Sequence, residues 1–176
     1  NKEKTTKTRL TAGFYLPIVS TSGEKWSFLE TLENVSVFQP KNNERGPSNV
    51  FQGASELNLD VKGRMAVPVR HREPLSLPSA GNLVLTAHPE GCLLMYPLLH
   101  WQPIRDRVMT FPSLDRTASV WKRLLIGFAE DHVLDGNGRV LISPELRKFA
   151  GIEKLVMFVG QGTHFEIWNV GAWEAQ

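Results

Sequence analysis

Residues 60–72 and 135–147 carry one pattern twice. The first copy reads Asp60-Val-Lys-Gly63-Arg64, continues through Met65-Ala-Val67-Pro68 and closes at Arg72. The second reads Asp135-Gly-Asn-Gly138-Arg139, continues through Val140-Leu-Ile142 and closes at Arg147. Asp, Gly, Arg, a β-branched apolar residue and a closing Arg recur at one fixed offset. Two copies of so short a unit predict an internal pseudo-dimer, with each half completing the other's core. Such a fold brings two like Arg-bearing turns close together, as recognition of a long, regular anion requires.

A chain of 176 residues that is 41% hydrophobic is long enough for one ordinary domain with a core. Its net charge is only +2, and from Val50 onward thirteen Lys and Arg face thirteen Asp and Glu. Affinity for nucleic acid must then come from local patches rather than bulk charge. The single cysteine, Cys92, forbids an intrachain disulfide and fits a reducing cytosol. No apolar run approaches membrane-spanning length, and no signal-peptide pattern is present.

Residues 1–49 differ from the rest. Lys2, Lys4, Lys7 and Arg9 stand among threonines, and no period of 2 or 3.6 is sustained. A disordered extension is one expectation. The other is a translated leader: Val50 is what a GTG start codon gives when read internally, and Glu44-Arg45-Gly46 is encodable by a purine-rich, ribosome-binding type of sequence just upstream. Both chain ends, at Asn1 and Gln176, are expected to be arbitrary.

From Val50 the pattern predicts residues 50–101 as a first repeat, 102–130 as a helical connector and 131–176 as a second repeat. Ala54 to Leu59 alternates as a half-buried strand does. Asp60 to Gly63 is a turn, because Asp bonds its own backbone and Gly accepts positive φ. Arg64 to Val69 is the returning strand of that hairpin. A short turn or helix over Arg70 to Glu73 ends at Pro74. Strands follow at Leu83–Thr86 and Cys92–Tyr96, with Pro97 opening a helix through Trp101, Ile104 and Val108. Residues 114–129 are expected to form the longest helix, capped by Ser113 or Asp115. The second copy repeats the order, with Gly151 capping the helix of residues 144–150. Each repeat is thus a hairpin, a short helix, a second hairpin and a helix. Two of them predict an α+β fold: a small closed β structure with helices outside.

The paired Asp-x-x-Gly-Arg turns, Val67-Pro68, Arg123-Leu-Leu-Ile-Gly127-Phe-Ala129 and Glu166-Ile-Trp168 closely resemble the MraZ family. That family belongs to the swapped-hairpin class typified by AbrB and SpoVT. The resemblance covers residues 50–176. It implies two tandem AbrB-like swapped-hairpin repeats forming a pseudo-dimeric small β-barrel. It further implies a cytoplasmic, nucleoid-associated transcriptional regulator that binds double-stranded DNA at the promoter of the division and cell-wall gene cluster. A ring-forming homo-oligomer reading short direct repeats is implied as well. No cofactor, metal or small-molecule substrate is implied. By motif, Asp60 and Arg64 fall at the recognition turn, with Lys62, Arg70 and Arg72 flanking, and Asp135, Arg139 and Arg147 match in the second copy. Two departures stand out. His71 replaces an aromatic residue, and Ser143-Pro144 moves the expected proline by one position. The family also runs on into a further helical stretch after the position of Trp173.

Chemistry sorts the candidates. Lys62, Arg64, Arg70, His71 and Arg72 lie close in sequence, opposed only by Asp60 and Glu73. Such clusters gain from counterion release on phosphate, and Arg can fork onto guanine. The plain alternative is a solvated hairpin in which Asp60 merely pairs with Arg64. Both hold at once if the carboxylate poses the Arg for DNA. Lys62, Arg64, Arg70 and Arg72 are therefore the expected DNA contacts, and Asp60, Gly63, Asp135 and Gly138 orient the turns. The second turn has lost its Lys, and Glu145 replaces Arg70. Arg139 and Arg147 are accordingly read as a secondary contact, to DNA or to another subunit. Tyr96, Trp101, Trp168 and Trp173 recur at matching places and are read as core or interface positions rather than as a base-stacking platform. Catalysis is not expected: Cys92 with His88 is the only local nucleophile–base pair, and the histidines lack ligand spacing. The competing function is a non-catalytic protein-interaction module of the swapped-hairpin, antitoxin-like kind.

Overall fold

The computed structural model describes residues 50–176, so both expectations for residues 1–49 lie outside the described residues. Among the described residues, eight strands and five helices follow one another in an order that repeats. They are β1 (Ala54–Asn58), β2 (Arg64–Ala66), α1 (Val69–Ser76), β3 (Asn82–Ala87), β4 (Leu93–Pro97), α2 (Leu98–Met109) and α3 (Arg116–Leu125), then β5 (Glu130–Val133), β6 (Arg139–Leu141), α4 (Pro144–Phe149), β7 (Leu155–Gly160), β8 (Phe165–Asn169) and α5 (Val170–Glu174).

The strands form one six-stranded antiparallel sheet, ordered β1-β7-β8-β4-β3-β5, and a separate β2–β6 ladder. β3–β4 and β7–β8 are hairpins within a copy, while β1–β7, β2–β6, β3–β5 and β4–β8 all join one copy to the other. The architecture is α+β with two interlocked repeats, as the repeated pattern predicts. The first hairpin of each copy differs from expectation. β1 and β2 do not ladder with each other; a single bridge, Leu59 to Met65, links them. Their alternation is that of strands, but their partners lie in the other copy. Ring closure through hydrogen-bonded ladders is likewise not seen, since β1 and β5 end the sheet. The three-residue strands β2 and β6 stop where Pro68 and Ser143 begin the next helices.

The core explains the interlocking. Met65, Val67 and Leu75 of the first copy pack with Val140, Ile142 and Leu146 of the second, all at most 1% exposed. Burying each such side chain contributes about 1.5–3 kcal/mol, and the residues of both copies belong to one core cluster. Phe51 and Phe165 close the next layer, with ring centroids 4.5 Å apart. His71 stands edge-on to Phe165 at 4.9 Å and to Phe51 at 6.2 Å, so it fills the aromatic place left to it. Tyr96, Trp101 and Trp168 are buried, so their faces are spent on the core, whereas Trp173 is only half-buried, its ring centroid 6.1 Å from that of Trp168.

The helices show how local signals compete. α1 runs through Pro74, which was expected to end it; buried His71 and Leu75 hold the helix on the core while one backbone bond is lost. The proline shift at Ser143-Pro144 leaves the helix start in place, because Ser143 Oγ accepts from Leu146 N at 3.2 Å and caps where Pro68 stands in the first copy. Among the described residues the longest helix is α2, not the segment 114–129. α3 starts after the Asp115 cap, whose Oδ1 accepts from Ala118 N at 2.6 Å. It ends at Leu125, where Thr86 Oγ1 donates to the carbonyls of Leu124 and Leu125 at 3.1 and 2.9 Å.

Burial holds three histidines neutral. His71, His88 and His164 all lie below the usual imidazole range, with desolvation the main cause; His164 is pushed from 6.5 to about 4, helped by His88 and His100. An unfolded histidine takes up a proton at higher pH than the folded one. Stability is therefore full above pH about 6.5 and falls as the pH drops toward about 4. His164→Phe keeps the stack on Tyr96 (4.5 Å between centroids) and removes the titration. We expect the melting temperature of the wild type to fall more steeply between pH 6.5 and 4 than that of His164→Phe, as read by thermal denaturation.

Candidate nucleic-acid interface

Each turn is built by its aspartate. Asp60 Oδ1 accepts from the N–H of Lys62 (2.9 Å) and of Arg64 (3.0 Å); Asp135 Oδ1 accepts from Asn137 and Arg139, both at 2.9 Å. Gly63 and Gly138 take φ +80° and +70°, a region an L-residue with a side chain rarely adopts, and complete the two turns. The second oxygen of each carboxylate holds the arginine four residues on. Asp60 Oδ2 lies 2.7 Å from Arg64 Nε and 2.6 Å from Nη2; Asp135 Oδ2 lies 2.8 Å from both Nε and Nη2 of Arg139.

These pairs are about one-third exposed, so they add little to stability. Their effect is conformational: each guanidinium is fixed in one pose before any ligand arrives. The carboxylates are tuned to match. The side-chain bond from Arg64, with backbone bonds behind it, holds Asp60 down to about 2, and the backbone N–H of Arg139 is the main cause lowering Asp135. Both therefore stay ionised throughout the neutral range.

The β2–β6 ladder brings the two turns together. Arg64 pairs with Leu141, Met65 with Val140 and Ala66 with Arg139. Alternation turns Met65 and Val140 into the core and leaves Arg64, Ala66, Arg139 and Leu141 on the outer face. Arg139 Nη1 reaches to 4.0 Å from Asp60 Oδ2, so the two Asp–Arg pairs meet across the copies. This face is a two-stranded ribbon with an arginine on each strand and a turn at each end.

The remaining candidates separate. Lys62 is exposed at the tip of the first turn. Arg70 is exposed but bends toward β1: its Nε donates to His71 Nε2 at 2.9 Å and its Nη2 to Ser55 Oγ at 3.3 Å. That bond also needs His71 unprotonated, so His71 adds no charge to the cluster. Arg72 and Arg147 are braces. Arg72 Nε donates to Val67 O (2.8 Å), and its side chain lies where a Cβ on Gly138 would fall, 2.3 Å from that position. Arg147 Nε donates to Ile142 O (3.2 Å) and covers Gly63 in the same way, at 3.0 Å. Each closing arginine thus lies over the other copy's turn. Sequence alone showed the matched Gly and Arg positions but not that they meet crosswise.

Other chemistry is poorly provided for. Cys92 is buried, and burial raises its thiol well above the ordinary value, the reverse of an activated nucleophile. Among the described residues no cluster of three or more His, Cys, Asp or Glu is arranged to hold a metal, and no helix is long and apolar enough to cross a membrane.

Comparison with known proteins agrees with the internal repeat. The family model described as "MraZ protein, putative antitoxin-like" matches residues 50–124 and again residues 125–176. The "Transcriptional regulator MraZ" of Methylobacillus flagellatus is 60% identical over 127 residues, covering 72% of this chain and 86% of that protein. The proteins of the same name from Aromatoleum aromaticum and Dechloromonas aromatica are each 54% identical over 127 residues, with the same coverage.

The crossed braces give a direct test. Gly138→Ala must displace Arg72 and strain a backbone at φ +70°. Gly136→Ala meets nothing within 4 Å. We expect Gly138→Ala to lose about 1–3 kcal/mol in denaturant unfolding and Gly136→Ala to lose little; equal losses would remove the brace.

Proposed function

Since the chain belongs to the MraZ family, we propose that it is a sequence-specific DNA-binding transcriptional regulator whose contact surface is the outer face of the β2–β6 ribbon. One observation carries this reading: two pre-posed arginines, Arg64 and Arg139, share one face with 4.0 Å between Arg139 and the carboxylate that holds Arg64. A two-stranded ribbon is of a width that the major groove of B-DNA admits, and arginine forks onto guanine O6 and N7 there. Lys62 at the tip adds phosphate or base contact. Arg70 lies to one side, suited to backbone phosphate. Arg72 and Arg147 position the turns.

The finer features follow from the family resemblance and the chain's asymmetry. The protein acts on short direct repeats at the promoter of the division and cell-wall genes, in the cytoplasm at the nucleoid. It does so as a ring-like homo-oligomer. Unlike faces meeting head to tail close into a ring, and adjacent subunits then share one orientation on DNA. A non-catalytic protein-interaction role is the competing function, and salt separates the two. Phosphate contacts release counterions, so DNA affinity falls steeply with salt.

We expect a mobility-shift titration with the wild type to lose affinity steeply as salt rises. Arg64→Ala should weaken specific binding by an amount equivalent to about 1–3 kcal/mol per contact while leaving the melting temperature nearly unchanged. Arg139→Ala should also weaken it, because its guanidinium occupies the matching place. Wild-type affinity in a folded Arg64→Ala would remove the ribbon as the contact surface.

A further inference from the structure

The two turns share a frame but not a tip. Their aspartates accept the same backbone N–H groups at distances that agree within 0.1 Å, from 2.9 to 3.0 Å. Gly63 N bonds Asp60 O at 2.9 Å, and Gly138 N bonds Asp135 O at 2.8 Å. The arginines are held alike, and the closing arginines brace both turns alike. The two residues at each tip then differ completely: Val61 and Lys62 on the first, Gly136 and Asn137 on the second.

Val61 is 103% exposed, an apolar side chain at the outermost point of the turn with nothing to pack on. Lys62, Gly136 and Asn137 are exposed as well. Among the described residues, the side chains of Lys62 and Asn137 make no hydrogen bond or ion pair; only their backbone N–H groups are engaged. These are unspent groups on a rigid support, projecting beside the two fixed arginines.

We infer that the tip pairs Val61–Lys62 and Gly136–Asn137 are the specificity-determining residues that make one chain read a non-palindromic DNA box, each tip reading one half. This rests on the DNA-binding reading above. The chemistry of the tips is complementary to different bases. Lysine donates to guanine O6 and N7, and valine packs on the thymine methyl group. Asparagine forks onto adenine N6 and N7, and glycine leaves the groove beside it unfilled. Because the frames match, the difference in reading comes from the tips.

The test makes the two tips alike. One variant of the full chain carries Val61→Gly with Lys62→Asn; the other carries Gly136→Val with Asn137→Lys. Both are compatible with the fold. Val61 and Lys62 are exposed, and Gly136 has no positive φ and no atom within 4 Å of a Cβ. Circular dichroism and thermal melting confirm folding, and the single substitution Asn137→Lys gives a milder second variant. Each protein selects its preferred boxes from a random double-stranded DNA library.

The wild type should select an asymmetric box. The first variant should select a box made of one wild-type half and its inverted copy, and the second a box made of the other half. Each variant should prefer its own symmetric box over the wild-type box by about tenfold or more. Asn137→Lys should shift the base preference in one half only. A folded variant that still selects the wild-type box would overturn the assignment, as would a wild-type box that is itself palindromic; either leaves the DNA-binding reading standing. If the wild type selects no sequence at all, the DNA-binding reading falls and the tip assignment falls with it.

Discussion

Two backbone hydrogen bonds that cross between the repeats hold the rest of the structure in place. Val67 N donates to Gly138 O at 2.9 Å, and Ile142 N donates to Gly63 O at 3.0 Å. Buried backbone groups must find partners, and here each copy's strand end finds its partner in the other copy's turn. The glycines that accept these bonds are the ones covered by Arg72 and Arg147. Register, turn conformation and brace are therefore set at one place. Neither turn can move without disturbing the opposite strand, and the two arginines at the ribbon face inherit that rigidity.

The electrostatics work in the same direction. A carboxylate beside each arginine reduces the net charge of the patch, which looks unhelpful for a polyanion ligand. What it supplies is order. A free arginine would lose rotamer entropy on binding DNA, and Asp60 and Asp135 remove that freedom beforehand. Asp60, held at about 2, stays ionised until strong acid. Its contribution to turn stability is present above its ordinary pKa of 3.8 and is lost only as the pH falls through about 2. Mild acidification between about pH 6.5 and 4 therefore acts on the desolvated histidines rather than on the turns.

Much of this is legible in the sequence. The Asp, Gly and Arg offsets revealed both turns, because an Asp that bonds its own backbone and a Gly at positive φ leave residue types fixed. Alternation places seven of the strands to within a residue; the strand expected over Arg64 to Val69 ends three residues early, at Ala66, because Pro68 starts the next helix. Partners were less legible. A strand's period of two says which face is buried but not which strand lies beside it, so β1 and β2 read as a self-paired hairpin when their ladders run to β7 and β6. Pro74 misled for a related reason: a local breaker was overridden by the burial of His71 and Leu75. The arginines are recognisable as a cluster, and the Asp60–Arg64 and Asp135–Arg139 pairs are local, but the bracing and strand-facing arginines depend on contacts between residues far apart in the chain. Arg72 over Gly138 is the clearest case.

The central claim is that the two turns form one reading head. Tethered DNA cleavage tests it most directly. Cys92 is buried and unreactive, so an iron chelate attaches only to a cysteine introduced by Lys62→Cys or Asn137→Cys. With each full-length variant bound to the box that variant itself selects, both labelled proteins should cut inside the box and in the same groove, on opposite sides of its centre. Cutting from position 62 with none from position 137 would contradict a shared head and leave the first turn as the sole contact.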